Sequence, residues 1–215
     1  MATEPVPKPS RRRRWFQFSL RFLFVAVTVV CVLIGMEARK YQRQKSALDE
    51  LLARGATVRY DYEIDDRGYL RRAPDANRPS APRWMQRAFG EHYFYQVIGV
   101  GLFGKHWNDA DTQLLIDLPW LRGLSFHDTT VTDKGFQNVS RCACLEQVTL
   151  VGRHPLVTDA SILQMRQLRK LKFVDLSGSR ATERGLRELH RKCNCEIWHA
   201  ELGINWKKQK EKEPD

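Results

Sequence analysis

Apolar and polar residues recur along residues 97–200 in a fixed order, at intervals of about 24–26 positions. Each copy opens with an apolar ladder of the spacing L-x-x-L-x-L and closes with an apolar pair at helical spacing. A weaker first copy begins at Val97, and a truncated fifth begins at Glu196. Such a period is typical of stacked supersecondary units. The three clear ladders are Leu121, Leu124 and Phe126; Leu145, Val148 and Leu150; and Leu171, Val174 and Leu176.

A short phrase separates each ladder from its apolar pair: V-T-D-K-G-F at 131–136, V-T-D-A-S-I at 157–162 and A-T-E-R-G-L at 181–186. The ladder predicts a short strand with one apolar face, because side chains alternate along a strand. The Thr of the phrase is a preferred helix N-cap, and the acid after it lies where the helix dipole favours negative charge. Asn108 and Asp109 take these two places in the first copy. One unit cannot bury its own apolar face, so we predict that the units stack.

These motifs, repeated in register over 97–200, resemble the leucine-rich repeat family, in its short subclass with Cys or Thr-Asp in the turn. The resemblance implies an α/β fold, a short right-handed solenoid of about four strand–helix repeats. It also implies a binding scaffold with no catalytic activity and no cofactor. The N-terminal layout, "RRRRWFQFSLRFLFVAVTVVCVLIG" ahead of the repeats, is similar to short membrane-anchored repeat proteins of planctomycete-type bacteria.

The segment 15–36 predicts a transmembrane helix. Phe22 to Met36 is an unbroken apolar stretch of about 22 Å as a helix, short of the roughly 30 Å hydrocarbon core of a bilayer. Adding 15–21 gives a sufficient length if Arg21 extends toward the interface that Arg11 to Arg14 occupy. A cleaved signal peptide and a buried helix are the alternatives. No small-x-small cleavage site follows Met36, which favours an uncleaved anchor.

Charge supports a membrane anchor rather than a nucleic-acid site. Most of the net charge of +11 comes from residues 1–45, where ten Lys or Arg stand against Glu4 and Glu37. This excess flanks the apolar segment, so it is a topology signal and predicts no nucleic-acid partner. Six basic residues precede the unbroken apolar stretch that begins at Phe22, and four closely follow its end at Met36. The positive-inside rule therefore places the basic N-terminus, 1–14, in the cytoplasm and the repeats outside the inner membrane.

The remaining segments carry weaker signals. Residues 37–96 predict a juxtamembrane helix ended by Gly55, a strand at "TVRYDYEI", a loop, a short helix at "RWMQRAFG" and an approach to the first repeat. We interpret this segment as a small α+β cap on the repeat stack, because solenoid ends need covering. Residues 201–215 predict a charged, disordered tail.

The predicted partner-binding residues lie on the strand face opposite the apolar ladder: Ser125, His127, Gln147, Thr149, Phe173 and Asp175, preceded by Gly99, Gly101 and Phe103. In leucine-rich repeats these positions line the concave side. The implied partner is another protein or an envelope polymer. Two other classes of function stay open. One is an envelope-organising structural protein without a discrete ligand. The other is an enzyme with its site in 56–96. A pocket that joins the carboxylates of that segment to the repeats would indicate the enzyme.

Cysteines and histidines predict no metal site. Cys142 and Cys193 are equivalent in repeat register, as are Cys144 and Cys195. Strands two repeats apart are near 10 Å or more, whereas a disulfide needs Cα atoms within about 7 Å. C-x-C is also not the zinc spacing C-x-x-C. We therefore expect buried thiols, and the six scattered histidines lack paired ligand spacing. No catalytic motif is visible.

Overall fold

The computed structural model describes residues 20–63, 82, 84 and 95–207. The chain forms two compact units, Met1–Tyr41 and Gln42–Asp215. Outside the described residues lie the predicted basic N-terminus, the first five residues of the predicted span and residues 208–215. The loop and short helix predicted within 64–94 also lie outside them, apart from Pro82 and Trp84.

The first unit contains most of an apolar helix. Helix α1 spans Leu20–Ala53 without a break, and in this unit its large apolar side chains, from Phe22 to Met36, are each more than half exposed. Helix α1, over Phe22–Ala53, is long and apolar enough to cross a membrane by length and composition, and the mean hydropathy of its most apolar 18-residue part is 2.1. Helix α1 ends as predicted before Gly55, whose φ of 83° is left-handed.

The second unit is built on one seven-stranded sheet with the strands in chain order. Its strands are β1 (Thr57–Tyr60), β2 (Val97–Phe103), β3 (Gly123–His127), β4 (Gln147–Val151), β5 (Phe173–Asp175), β6 (Glu196–His199) and β7 (Ile204–Trp206). Strands β2 to β6 are parallel and in register, and this confirms the parallel strands that the apolar ladders predict. The mixed α/β class is therefore confirmed. The sheet is not strongly curled, so the right-handed solenoid stays a prediction.

One face of the sheet forms the core. Leu124, Val148 and Val174 face one another across neighbouring strands and are at most 2% exposed. They pack with the helices between strands, α2 (Asp133–Val139), α3 (Asp159–Met165) and α4 (Glu183–Cys193). Successive helices also contact each other. The opposite face of β3 to β5 is consequently left without a covering helix among the described residues.

The Thr of each phrase caps its helix as predicted. The side chains of Thr132, Thr158 and Thr182 accept hydrogen bonds from the backbone N–H of Lys134, Ala160 and Gly185. Each of these Thr residues has extended backbone, as an N-cap does. The three helices therefore begin where the repeated phrase predicts.

Three of the repeated acids, Asp109, Asp133 and Asp159, join their own units to the next, a role that their position in the repeat does not predict. Asp133 Oδ1 accepts from the Thr158 N–H at 2.8 Å, and Oδ2 accepts from the Thr158 hydroxyl at 2.7 Å. The N–H and hydroxyl of Ser161 also donate to Asp133 Oδ1. Asp109 holds Thr132 in the same way, and Asp159 holds Thr182. The hydrogen bonds that join successive units therefore recur at the same interval as the phrase.

A second series of equivalent residues closes each parallel strand. Gly104, Asp128, Gly152 and Gly178 follow β2 to β5 and have φ between 52° and 98°. The N–H groups of Gly104 and Asp128 donate to the carbonyls of His127 and Val151 on the next strand. A Cβ added to Gly178 would overlap the carbonyl oxygen of Gly152. The left-handed turns therefore stack on one another at this edge of the sheet.

The first copy departs from the predicted helix. Residues Asp111–Asp117 form a 3₁₀ helix with Ala110 at its N-cap. Asn108, the predicted N-cap, instead accepts a hydrogen bond from the Ala110 N–H at 2.9 Å. Asp111 is buried and bonds to the Asn108 N–H and to Arg54. These contacts hold the tighter turn and join it to the end of α1.

Antiparallel strands end the sheet on both sides. Strand β1 pairs with β2, and Leu48 and Leu51 of α1 pack into the core beside it, as expected for a cap. Strand β7 pairs with β6 at the other end. It lies within 201–215, predicted as a disordered tail, and this prediction is wrong for 204–206. Ile204 is buried and Trp206 packs on the core, which makes the pairing favourable.

Candidate functional site

The candidate site is the sheet surface opposite the core, which we call the open face. It consists of the side chains of β2 to β5 that alternate with the buried ladder, together with Trp198 on β6. Register places the predicted residues in two rows. Ser125, Thr149 and Asp175 form one row, and Gln147 and Phe173 belong to the other, beside Gly123. His127 lies at the end of β3, in register with Val151. The structure therefore brings all six predicted residues onto one surface.

The end of the open face where the strands finish is aromatic and apolar. The rings of Phe103 and His127 stack with centroids 4.2 Å apart and an angle of 15° between planes. Phe103 is 44% exposed and Val151 is 43% exposed. Burial lowers the pKa of His127, and the charge of His154 adds to this effect, while Asp128 opposes it. His127 is thus neutral at neutral pH and presents an aromatic surface beside Phe103.

The end of the open face at which the parallel strands begin is charged. Arg59 on β1 lies opposite Gly99, and Arg122 directly precedes Gly123. Lys172 forms an ion pair with Glu146 at 2.5 Å, and the lysine is 66% exposed. An exposed pair of this kind contributes little to stability. The open face therefore joins a charged end to an aromatic end.

A cleft of about 900 Å³ covers the β1 to β4 part of the open face. Its floor contains glycines of β2 and β3, and its lining includes Ser125, His127, Gln147 and Thr149 from the predicted set. Phe173 and Asp175 are not among its lining residues. Asp175 instead accepts hydrogen bonds from the N–H and hydroxyl of Ser177 at 2.9 and 2.6 Å. Four of the six predicted residues thus share the cleft.

Trp198 is a residue of the open face that the repeat pattern did not assign. It lies in register with Asp175 and is 50% exposed. The truncated fifth copy contains it at the position equivalent to Thr149 and Ser125, and this equivalence is the signal that could have found it. Trp is a residue enriched at binding hot spots. With Phe103 at the far side of the sheet, the open face has exposed aromatic residues near both of its edges.

Among the described residues of the 56–96 segment, one carboxylate reaches the cleft. Asp61 is among the lining residues, and its Oδ1 accepts from the Tyr62 N–H at 3.0 Å. Within the described part of the chain, no hydrogen bond joins Asp61 to Ser125 or His127. The cleft thus holds an acid, a hydroxyl and an imidazole, but the described contacts do not link them into a nucleophile and base.

The cysteines differ in burial. Cys142 and Cys195 are buried, and burial raises the pKa of each thiol to about 12. Cys144 and Cys193 are half-buried, so the expectation of buried thiols is correct for two of the four. The exposed Lys170 ammonium donates to Cys144 Sγ at 3.5 Å, and Cys193, in the last turn of α4, packs against the core. Among the described residues, no group of three or more His, Cys, Asp or Glu is arranged to hold a metal ion.

Comparison with known proteins found no match, either to a protein-family model or among curated proteins. Any proposal about function therefore depends on the geometry of the open face. The open face has glycines and small polar side chains on β2 to β4, hydrogen-bonding groups in the middle and exposed aromatic residues near the edges.

Proposed function

We propose that this chain is a membrane-anchored leucine-rich-repeat scaffold that binds another macromolecule on its open face and catalyses no reaction. The supporting observation is the open face itself, a sheet surface uncovered by any described helix, on which register gathers polar and aromatic side chains. An uncovered sheet face with exposed large apolar residues is a recurrent place for protein contacts.

The repeat assignment is supported by the periodic contacts as well as by the sequence. Equivalent positions on β2 to β6 follow one another at Gly99, Gly123, Gln147, Phe173 and Glu196. The Thr–Asp contacts and the left-handed turns recur with the same period. Such recurrence is what a stack of equivalent units produces.

The membrane assignment is supported by α1 and by the charge that precedes it. The exposed apolar stretch of α1 suits a bilayer, and the basic residues before it suit the cytoplasmic side. In this proposal a single span anchors the chain in the cell membrane, and the sheet domain lies outside the cytoplasm.

An enzyme is the second candidate, favoured by the presence of Asp61 in the cleft. It is the weaker candidate, because no described hydrogen bond joins the Asp61 carboxylate to another side chain that lines the cleft. If Asp61→Asn removes the biological activity of the chain while partner binding is unchanged, a catalytic role is favoured. If Asp61→Asn lowers partner binding and biological activity together, the scaffold function is favoured.

Photocrosslinking in intact membranes tests the proposal. A photoreactive amino acid replaces Thr149, in the middle of the open face, and a matched variant carries it at Gln137, which is exposed on α2. The proposal predicts a discrete crosslinked product from position 149 and none of the same mass from position 137. Products that are identical at both positions, or none at 149, would contradict it.

A further inference from the structure

Two guanidinium groups at the charged end of the cleft have no described partner. Arg59 and Arg122 both line the cleft and are exposed. Neither forms an ion pair or a side-chain hydrogen bond with a described residue, whereas Lys172 in the same lining is paired with Glu146. An arginine side chain offers a planar fork of N–H donors that fits a carboxylate. These two arginines can therefore take an acidic group from another molecule.

Three glycines form part of the floor between the two ends of the cleft. The nearest atom to a Cβ built on Gly123 is a backbone oxygen 3.9 Å away, so this position is open. A Cβ on Gly99 would approach Arg59 Cβ to 3.2 Å, and one on Gly101 would approach the Phe103 ring to 2.9 Å. Glycine at these positions lets the arginine stem and the phenyl ring lie flat on the sheet. It also lets another backbone approach closely.

The two ends of the cleft are a fixed distance apart. Gly99 and Phe103 are four residues apart on β2, and Gly123 and His127 are four apart on β3. At the rise of a strand this separation is about 13 Å. In an extended peptide, residues four apart lie on the same side and are separated by the same distance. A peptide lying along the strands therefore reaches both ends with residues i and i+4.

We propose that the cleft binds an extended segment of another protein in which one acidic residue lies four positions from an apolar residue. An acidic side chain meets Arg59 and Arg122, and an apolar side chain four residues away meets Phe103, His127 and Val151. This inference rests on the proposed function and gives the chemistry of the partner. A polyanion such as a nucleic acid fits less well, because Asp61 and Glu146 line the same cleft and repel closely spaced phosphates.

Peptide selection against the full chain tests the inference. The protein is held in biotinylated nanodiscs and presented with a random dodecapeptide phage library after depletion on empty nanodiscs. Enriched peptides are expected to carry Asp or Glu four residues from an aliphatic or aromatic residue. Their affinity is expected to fall about tenfold or more in the Arg59→Gln/Arg122→Gln variant. The control variant Arg141→Gln/Arg169→Gln changes two exposed arginines outside the cleft lining and should bind as the parent does.

Three results would overturn the inference: no enrichment over empty nanodiscs, enrichment of peptides without the acidic residue, or equal affinity in the two arginine variants. Crosslinking from position 149 separates this failure from failure of the proposed function. If the crosslinked product persists while the peptide result fails, the partner has another chemistry. If the product is also missing, the scaffold function itself is wrong.

Discussion

At the scale of single residues, Asp109, Asp133 and Asp159 connect neighbouring units. We expect Asp133→Asn to lower the free energy of unfolding by about 1–3 kcal/mol, because an NH₂ group, which donates, replaces one of the two carboxylate oxygens that accept from Thr158 and Ser161. Denaturant unfolding of the full chain in detergent would measure the change. The matched control is Glu183→Gln, in the last phrase, where the acid is 58% exposed and pairs only with Arg187 among the described residues. A control as destabilised as Asp133→Asn would contradict the connecting role.

The same acid gives a pH dependence with a defined sign. Burial raises the pKa of Asp133, but hydrogen bonds from Ser161 and Thr158 together hold it below its ordinary value of 3.8. A lowered pKa contributes stability above the unfolded pKa, and this stability is lost as the pH falls through the folded pKa. The difference in unfolding free energy between the parent and Asp133→Asn should therefore be constant at neutral pH and shrink below about pH 4. A difference that grows in acid would show that the carboxylate is not the stabilising form.

The left-handed turns give a third prediction at this scale. Gly178 and Gly55 have nearly the same φ, 82° and 83°. A Cβ on Gly178 would overlap the Gly152 carbonyl, whereas a Cβ on Gly55 meets nothing within 4 Å. Gly55→Ala should cost about 1–2 kcal/mol for the backbone conformation alone. Gly178→Ala should cost more than about 3 kcal/mol, measured by the same unfolding assay. Equal costs at the two positions would mean that the turns do not stack as described.

At the scale of elements, the apolar ladders predict the parallel strands for two reasons. Apolar and polar residues alternate within each ladder, and the ladders recur at a common interval along the chain. Leu150 is 1% exposed, and Val151, next to it on β4, is 43% exposed. We expect Leu150→Ala to cost about 2–5 kcal/mol and Val151→Ala to cost under about 0.5 kcal/mol. Circular dichroism during thermal unfolding would measure both. Similar costs for the two would contradict the assignment of the buried face.

Other elements could not be predicted from these patterns. Strand β7 has three residues in a charged context, and its pairing depends on the edge that β6 provides. The 3₁₀ helix of the first copy depends on Arg54, which is distant in sequence from Asp111. The contact from Asp133 to Thr158 also joins residues that are distant in sequence. The phrase therefore predicts that Thr158 caps a helix, but it does not predict the hydrogen bond between Thr158 and Asp133. The six predicted open-face residues were found because alternation alone fixes the face, whereas Trp198 required the register of the truncated copy.

At the scale of the whole molecule, the charge around the span predicts its orientation. Lys8, Arg11 to Arg14 and Arg21 precede the apolar stretch, against four basic residues that closely follow it. A protease added to intact spheroplasts should therefore digest the sheet domain and spare an N-terminal tag. Disruption of the membrane, as a control, should expose the tag as well. If the sheet domain survives until the membrane is broken, the orientation is the reverse.

The central claim is that the open face binds a discrete partner, and saturation of the crosslink from position 149 tests it most directly. The chain is produced at increasing levels from a controlled promoter, with the photoreactive residue in place of Thr149, and the crosslinked product is quantified against total chain. A scaffold with a discrete partner predicts that the product reaches a plateau when the partner is fully bound. Product that rises in proportion to the chain at every level, with a matching rise from position 137, would show that the face has no discrete partner.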